Sequence, residues 1–189
     1  MRHPLLFLPF LALAGCAASI PPVEVTRFHL GSAPAPGRIA IEPGTGMAAE
    51  SLEFGAYAAA VRREMTRLGY AEGSGAAYRL AVSYQRTTRD IAKSAPFSIG
   101  IGGGTSAGGV GVGLGTSFGL GNRRQTMVRT RLSVQMTRLG DSAMVWEGRA
   151  ETESPSTAPA AQPGLAADKL ARALFQVFPG ESGRTITVP

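Results

Sequence analysis

The amino-acid sequence predicts an α+β fold: a mainly antiparallel sheet with two helices packed on one face as a two-layer sandwich, plus a Gly-rich hairpin or loop. Two observations support this prediction. Apolar and polar residues alternate in several short segments, as they do in strands that are buried on one face. In two other segments the apolar spacing changes to three and four residues, which is typical of amphipathic helices.

The first elements are two strands and a helix. Alternation in "VEVTRFHL" (23–30) and "GRIAIEP" (37–43) predicts the strands. The following segment predicts a helix whose apolar stripe consists of Phe54, Tyr57, Val61, Met65 and Leu68. Acidic residues lie near the start of this helix and arginines near its end, which is the favourable order for the helix dipole. Gly69 suits the position just after the last turn.

Three further strands and a second helix are expected. "AYRLAVSYQRTTRD" (77–90) alternates with Tyr78, Leu80, Val82 and Tyr84 on one face. "TMVRTRLSVQMTRLG" (126–140) alternates with Val128, Leu132, Val134 and Met136 inward. "SAMVWEGRAETE" (142–153) is expected to place Met144 and Trp146 inward and Val145 outward. The last helix stripe comprises Leu170, Leu174, Val177 and Phe178, and the tail "RTITVP" is expected to add a short edge strand.

The turn between the two strands around Gly140 can be tested by parity. A two-residue turn would set inward Met136 opposite outward Val145. A three-residue turn at Gly140, Asp141 and Ser142 sets Met136 opposite Trp146. It also brings Arg131 opposite Glu151, so apolar faces and charges both match. We therefore predict the three-residue turn.

The N-terminus has the layout of a secretory signal peptide. A short basic start precedes the apolar run "LLFLPFLALAG", which is too short to span a bilayer. "Leu13-Ala14-Gly15-Cys16" resembles the bacterial lipobox. That resemblance implies that a signal peptidase recognises Leu13, Ala14 and Gly15 and that Cys16 is acylated as the new N-terminus. Residue 17 is Ala, where an Asp would resemble an inner-membrane retention signal, which favours the outer membrane.

The predicted organisation is a lipoprotein signal peptide at 1–15, an acylated tether at 16–22 and a single α+β domain at 23–189. The formal charge of +6 is spread along the chain and indicates an ordinary solvated surface rather than a nucleic-acid partner. Acylation would use the one cysteine, so no disulfide is expected. We expect no cofactor and no metal site, since metal ligands do not cluster.

Catalytic residues are also not expected. The predicted mature chain keeps one histidine, His29, in a predicted strand with no catalytic motif around it. Acidic pairs occur at Glu50 with Glu53 and at Glu151 with Glu153. Helix-start electrostatics explain the first pair, and a solvated strand end beside arginines explains the second. An enzyme using His29 and Glu151 with Glu153 is therefore the third hypothesis for function.

The Gly-rich insert "FSIGIGGGTSAGGVGVGLGTSFGLG" (97–121) is the most unusual feature. One interpretation is a flexible loop. The other is a hairpin with one aliphatic face and one bare Gly face, which would permit close approach by another backbone or a membrane surface. The hairpin residues would be Ile99, Ile101, Val110, Val112, Leu114, Phe118 and Leu120. To span lipid, several copies would have to close into a barrel.

Several packing motifs resemble one bacterial family. The lipobox, the first strand pair, "LGY" at the helix end, "YRLAVSY" and the closing "FPG" resemble the envelope lipoproteins called domain of unknown function 4136. Members often carry an Asp where this chain has Ala77, and their inserts are often aromatic. The resemblance implies an envelope lipoprotein with an α+β fold and no established activity.

We therefore expect a non-enzymatic lipoprotein, anchored by acyl chains on Cys16, that acts as a binding or assembly module at the periplasmic face of the membrane. Its partners would be the membrane and an envelope protein. The alternative is an oligomeric, membrane-inserting or pore-forming lipoprotein that uses the hairpin 98–121.

Overall fold

Two helices accompany a seven-stranded mixed sheet in the computed structural model, which describes residues 21–93, 100–103, 112–115 and 123–189. The helices are α1 (Leu52–Arg67) and α2 (Pro163–Phe175), and a short 3₁₀ turn covers Pro159–Ala161. The strands are β1 (Val23–His29), β2 (Arg38–Pro43), β3 (Ala71–Glu72), β4 (Tyr78–Lys93), β5 (Gly100–Gly103), β6 (Val112–Gly115), β7 (Arg123–Arg138), β8 (Met144–Pro155) and β9 (Thr185–Val188).

The large sheet has the strand order β3-β2-β4-β7-β8-β1-β9. β2 pairs in parallel with both β3 and β4, because α1 connects β2 to the strands that follow it. The other neighbours pair antiparallel. The α+β prediction is confirmed in this form. The finer description, a mainly antiparallel sheet in a two-layer sandwich, stays a prediction.

One hydrophobic core joins one face of the sheet to both helices. The alternating residues of β4 and β7 that the sequence placed inward pack in this core, except Val128, which is buried outside it, so the period-two predictions for these strands are confirmed. Trp146 stacks on Phe175 with ring centroids 5.4 Å apart and lies 5.3 Å from Phe178. The largest fully buried side chains include Trp146, Tyr57, Phe175, Ile39, Met65, Leu80, Leu132 and Met136.

Helix α1 ends where the sequence predicts and begins at Leu52, so that Glu53 lies in its first turn and Glu50 precedes it. The Ser51 hydroxyl caps it by accepting a hydrogen bond from the Phe54 backbone N–H at 3.3 Å. Beyond the C-terminal end, Gly69 adopts a φ of +89°, a left-handed conformation that glycine tolerates best. The predicted stripe faces the core, where Tyr57, Val61 and Met65 are fully buried.

The turn between β7 and β8 differs from the prediction in length. The predicted register is confirmed, since Met136 lies opposite Trp146 and Arg131 opposite Glu151. However, the Arg138 N–H bonds the carbonyl of Ala143 at 2.8 Å, so the turn holds four residues rather than three. A bulge next to Met136 restores the register by accommodating one extra residue in β8.

That bulge also overturns the predicted facing of two side chains. Val145, expected outward, is buried with 5% exposure, and Met144, expected inward, is 45% exposed. A bulge sets two residues against one on the partner strand, so strict alternation fails there.

The C-terminal end of α2 also differs from the prediction. The helix ends at Phe175, and Val177 beyond it is 63% exposed, so its assignment to the apolar stripe was wrong. Phe178 does pack on the core. The predicted edge strand at the tail is confirmed as β9, which pairs with β1.

Candidate functional site

The sheet face opposite the helices carries a polar groove. It has a volume of about 530 Å³ and is lined chiefly by Glu42, Arg79, Ser83, Gln135, Glu147 and Arg149. The loop after β2 closes one side, where Gly44 passes so near β4 that a β-carbon on it would lie 2.0 Å from the Ser83 hydroxyl oxygen. A side chain at position 44 would therefore require the Ser83 hydroxyl to move. The groove therefore offers hydrogen-bonding and charged groups rather than an apolar pocket.

An arginine–glutamate network continues along the same face. Arg131 Nη2 lies 2.6 Å from Glu151 Oε2, and Arg89 Nε lies 2.6 Å from Glu153 Oε1. Arg129 bridges the two acids, at 3.3 Å from Glu151 and 3.5 Å from Glu153. These five side chains come from three adjacent strands whose register brings them side by side. They form a polar surface with three positive and two negative charges.

The residues of the enzyme hypothesis have defined partners in the structure. Hydrogen bonds from Arg89 hold the pKa of the Glu153 carboxyl below its ordinary value of 4.5. The ring of His29 contacts two backbone oxygens, those of Gly31 at 2.8 Å and Gly180 at 3.1 Å. Across the described ranges, no three histidine, cysteine or acidic side chains gather as metal ligands would.

Strands β4 and β7 extend beyond the rest of the sheet as a two-stranded ribbon. β2 stops opposite Val82, and β8 stops opposite Met127, while β4 and β7 stay paired up to Lys93 and Arg123. We call residues 90–93 and 123–126 the ribbon end. Thr126 donates a hydrogen bond to Asp90 across it at 2.7 Å. The two strands therefore reach past β8 by four residue pairs.

The Gly-rich insert leaves and rejoins the sheet at this ribbon end. Within it, β5 pairs antiparallel with β6 as a separate two-stranded sheet, with Ile101 opposite Leu114 and Gly103 opposite Val112. Three of the predicted hairpin positions, Ile101, Val112 and Leu114, thus lie on paired backbone. The others, Ile99, Val110, Phe118 and Leu120, lie outside the described residues, as do Leu13, Ala14, Gly15 and Cys16.

The domain's N-terminal strand starts at the same end of the sheet as the ribbon. Val23 lies opposite Thr152 of β8, which is opposite Thr130 of β7 and thereby in line with Arg86 of β4. The Thr152 hydroxyl also donates a hydrogen bond to the carbonyl of Pro22 at 2.9 Å. The chain therefore enters the domain three residue pairs below the point where β4 and β7 extend past β8. Sequence patterns could not reveal this, because it depends on which strands are neighbours.

A buried arginine is the main feature that sequence reasoning missed. Arg27 is 3% exposed, and its Nε and Nη2 each donate a hydrogen bond of 2.9 Å to the carbonyls of Leu174 and Ala173. It thus caps the C-terminal end of α2, where a positive charge is favoured. Burial lowers the pKa of its guanidinium. The alternation of Val23, Val25 and Arg27 places this side chain inward and was the available signal.

None of the helices in the described part of the chain is long and apolar enough to cross a membrane.

Comparison with known proteins identifies the family. A protein of Zymomonas mobilis described as uncharacterized is 30% identical over 228 aligned positions, which cover 97% of this chain and 86% of that protein. Among solved structures, the chain is similar to the PelC dodecamer from Paraburkholderia phytofirmans, with a TM-score of 0.43, 11% identity and coverage of 80% and 92% of the two chains. A PDZ domain protein from Parabacteroides distasonis gives a TM-score of 0.46 and 8% identity, with 88% of this chain and 39% of that one covered. The family described as domain of unknown function (DUF4136) matches residues 39–180, and the chain belongs to it.

Proposed function

We propose that this protein is a non-enzymatic, lipid-anchored lipoprotein of the bacterial envelope, held at the periplasmic face of the outer membrane by acyl chains on Cys16. The lipobox-like sequence supports the anchor, and two or more acyl chains suffice for stable attachment. The start of β1 at Val23 supports a short tether, because seven residue steps from Cys16 span at most about 25 Å. The domain would therefore work close to the membrane.

Within the envelope, the domain acts as a binding or assembly module. The observation that carries this role is the polar sheet face with its arginine–glutamate network and the adjoining groove. We propose the two-layer sandwich as the arrangement behind it: both helices cover one face of a mainly antiparallel sheet, and an envelope protein binds the other. Such a partner would present charged and hydrogen-bonding groups of complementary sign.

The anchor is tested by fractionation. We expect Cys16→Ala to release the folded domain from the membrane or mislocalise it, with an unchanged circular dichroism spectrum. A matched neighbour variant, Ala18→Ser, should fractionate as the parent does. If Cys16→Ala stayed with the membrane like the parent, the anchor would be rejected.

The binding face is tested by crosslinking in intact envelopes, followed by identification of the captured proteins. Gln135 is exposed at the groove, whereas Arg172 is exposed on the helical side. We expect Gln135→Tyr to abolish capture of the partner and Arg172→Tyr to preserve it. Equal capture by both variants would refute the proposal for this face.

A second candidate is an oligomeric, membrane-inserting or pore-forming lipoprotein. The pairing of β5 with β6 favours it, since a hairpin is the unit from which such a barrel would be built. Several copies would have to close on one another, because unpaired strand edges are not tolerated in lipid. A mass measurement of the detergent-solubilised protein separates the two candidates. A purely monomeric protein rejects the pore.

A further inference from the structure

We propose that the ribbon end contacts the anionic phospholipid headgroups of the leaflet that holds Cys16. This inference rests on the proposed lipid anchor and adds an orientation: the strands of β4 and β7 point toward the membrane. Three observations carry it, namely the position of Val23, the reach of the ribbon and the distribution of charge.

The first observation is that β1 begins at the end of the sheet from which the ribbon extends. β1 runs antiparallel to β8, β8 to β7 and β7 to β4, so β1 and β4 run in opposite directions. Val23, the first residue of β1, therefore lies toward the C-terminal end of β4. A tether that continues upward from Val23 therefore runs alongside the ribbon. Three strand spacings, about 15 Å, separate β1 from β4.

The second observation is that the tether from Cys16 to Val23 and the part of β4 from Arg86 to Lys93 have similar maximum lengths. Val23 is in line with Arg86, and seven further residues lead along β4 to Lys93, which is about 23 Å. The same number of residues separates Val23 from Cys16, and they span at most about 25 Å. The tether limits the height of Val23 above the leaflet to about 25 Å, which is close to the reach of the ribbon, so a domain held with β4 and β7 pointing at the membrane brings the ribbon end to the headgroups.

The third observation is charge. The ribbon end has Lys93, Arg123 and Arg124 against the single acid Asp90, and the 29 residues from 94 to 122 contain no charged residue. Basic residues beside an uncharged stretch are typical of contact with an anionic membrane surface. At the opposite end of the sheet arginines are neutralised locally, as in the pair Arg138–Asp141 at 2.8 Å.

A single fluorescent label can test this orientation. Because Cys16 is the only cysteine and is acylated in the proposal, an added cysteine can be labelled uniquely. Ala92 is exposed in the ribbon end, and Leu139 is exposed about 50 Å away, just after the other end of β7. We would reconstitute acylated Ala92→Cys and Leu139→Cys proteins into vesicles of phosphatidylethanolamine and phosphatidylglycerol with a nitroxide quencher on a headgroup.

We expect strong quenching of the label at position 92 and none at position 139. Equal quenching, or stronger quenching at position 139, would overturn the inference while leaving the anchor intact. If the folded protein did not stay with the vesicles at all, the anchor would fail and this inference with it.

The role of charge is tested in the same assay. We expect the double variant Arg123→Gln/Arg124→Gln to weaken the contact about 25-fold, since each basic residue near an anionic surface contributes about fivefold. The control Arg138→Gln/Arg184→Gln removes the same charge away from the ribbon end and should leave quenching at position 92 unchanged. Loss of quenching in the control alone, or in neither variant, would contradict the contact with headgroups.

Discussion

Strands β4 and β7 change character halfway along their length. In the first half of β4, which we call the lower half, the side chains on the helix-facing side are Tyr78, Leu80, Val82 and Tyr84, and all of them pack into the core. In the second half, the upper half, the residues at the same alternate positions are Arg86, Thr88 and Asp90. The backbone pairing with β7 runs without interruption through both halves. One pair of strands thus serves as core sheet below and as a polar ribbon above.

The boundary between the halves is marked by Tyr57 of α1, which stacks on Tyr84 with ring centroids 4.5 Å apart. Burial raises the pKa of the Tyr57 hydroxyl. Directly above, Arg86 donates hydrogen bonds to Glu53 at 3.3 Å and to the carbonyl of Ala161 at 2.8 Å. Arg86 therefore closes the core of β4 against solvent, and beyond it β7 has one more buried apolar side chain, Val128.

The difference between the halves is energetic. Burying an aliphatic or aromatic side chain contributes about 1.5–3 kcal/mol to folding, whereas an exposed ion pair contributes at most about 1 kcal/mol. The lower half therefore stabilises the domain. The upper half adds little stability, which leaves it available for contacts outside the domain.

Among the point variants, the largest loss of stability should come from truncating a buried side chain in the lower half. Leu80 is fully buried, so Leu80→Ala should lower the free energy of unfolding by about 2–5 kcal/mol. Ile91 stands on the same strand beyond the core, and Ile91→Ala should cost less than about 0.5 kcal/mol. Chemical denaturation of both variants measures the contrast. Similar losses would mean that the ribbon belongs to the cooperative core.

A smaller loss is expected when the cap of α2 is removed. Arg27→Met keeps the length of the side chain but leaves the carbonyls of Ala173 and Leu174 without its two hydrogen bonds. We expect the free energy of unfolding to fall by about 2–3 kcal/mol. Arg124→Met in the ribbon end is the matched variant and should change it by less than about 0.5 kcal/mol. An unchanged midpoint for Arg27→Met would contradict the capping role.

The sequence predicted much of the lower half, because burial on one face leaves a period of two that is read directly in β4 and β7. It also predicted that Met136 faces Trp146, since only one register satisfies both the apolar face and the charges. It could not predict the bulge beside Val145, which arises from how the turn closes rather than from alternation.

The candidate site was predictable only in part. The unusual composition of the insert identified 98–121 from sequence, and the lipobox identified Cys16 as the expected anchor. The alignment of Val23 with Arg86 was not accessible, because it follows from the pairing of β1 with β8 and of β8 with β7. The sequence predicted that Arg131 faces Glu151 but not that Arg89 and Arg129 join them, because that depends on the pairing of β4 with β7.

The ion pairs of the polar face should have a modest, pH-dependent effect. Because Arg89 lowers the pKa of Glu153 in the folded protein, this pair stabilises the fold above the ordinary value of 4.5. The contribution is lost as the pH falls through the lowered pKa. Glu153→Gln should therefore cost at most about 1 kcal/mol at neutral pH and nothing at strongly acidic pH. Denaturation midpoints across this range measure the effect, with exposed Glu50→Gln as the control.

The smallest effect is expected from removing the insert itself. Deleting residues 98–121 removes β5 and β6 and shortens the connection between two strands that are already paired. Loss of the β5–β6 pairing destabilises the fold, whereas a shorter loop has a smaller entropic cost of closure. Because these effects oppose each other, the free energy of unfolding should change by less than about 1 kcal/mol.

A longer deletion, which extends into the core, provides the comparison for the deletion of 98–121. Removing residues 84–132 and rejoining the strands with a short turn also takes away Tyr84 and Leu132 from the core and should prevent folding. Thermal unfolding of the two shortened proteins would then place the boundary between the halves above Tyr84 and below the insert. If deletion of 98–121 alone unfolded the domain, the ribbon would be part of what holds the core together. Its proposed role as a projecting membrane contact would then have to be abandoned.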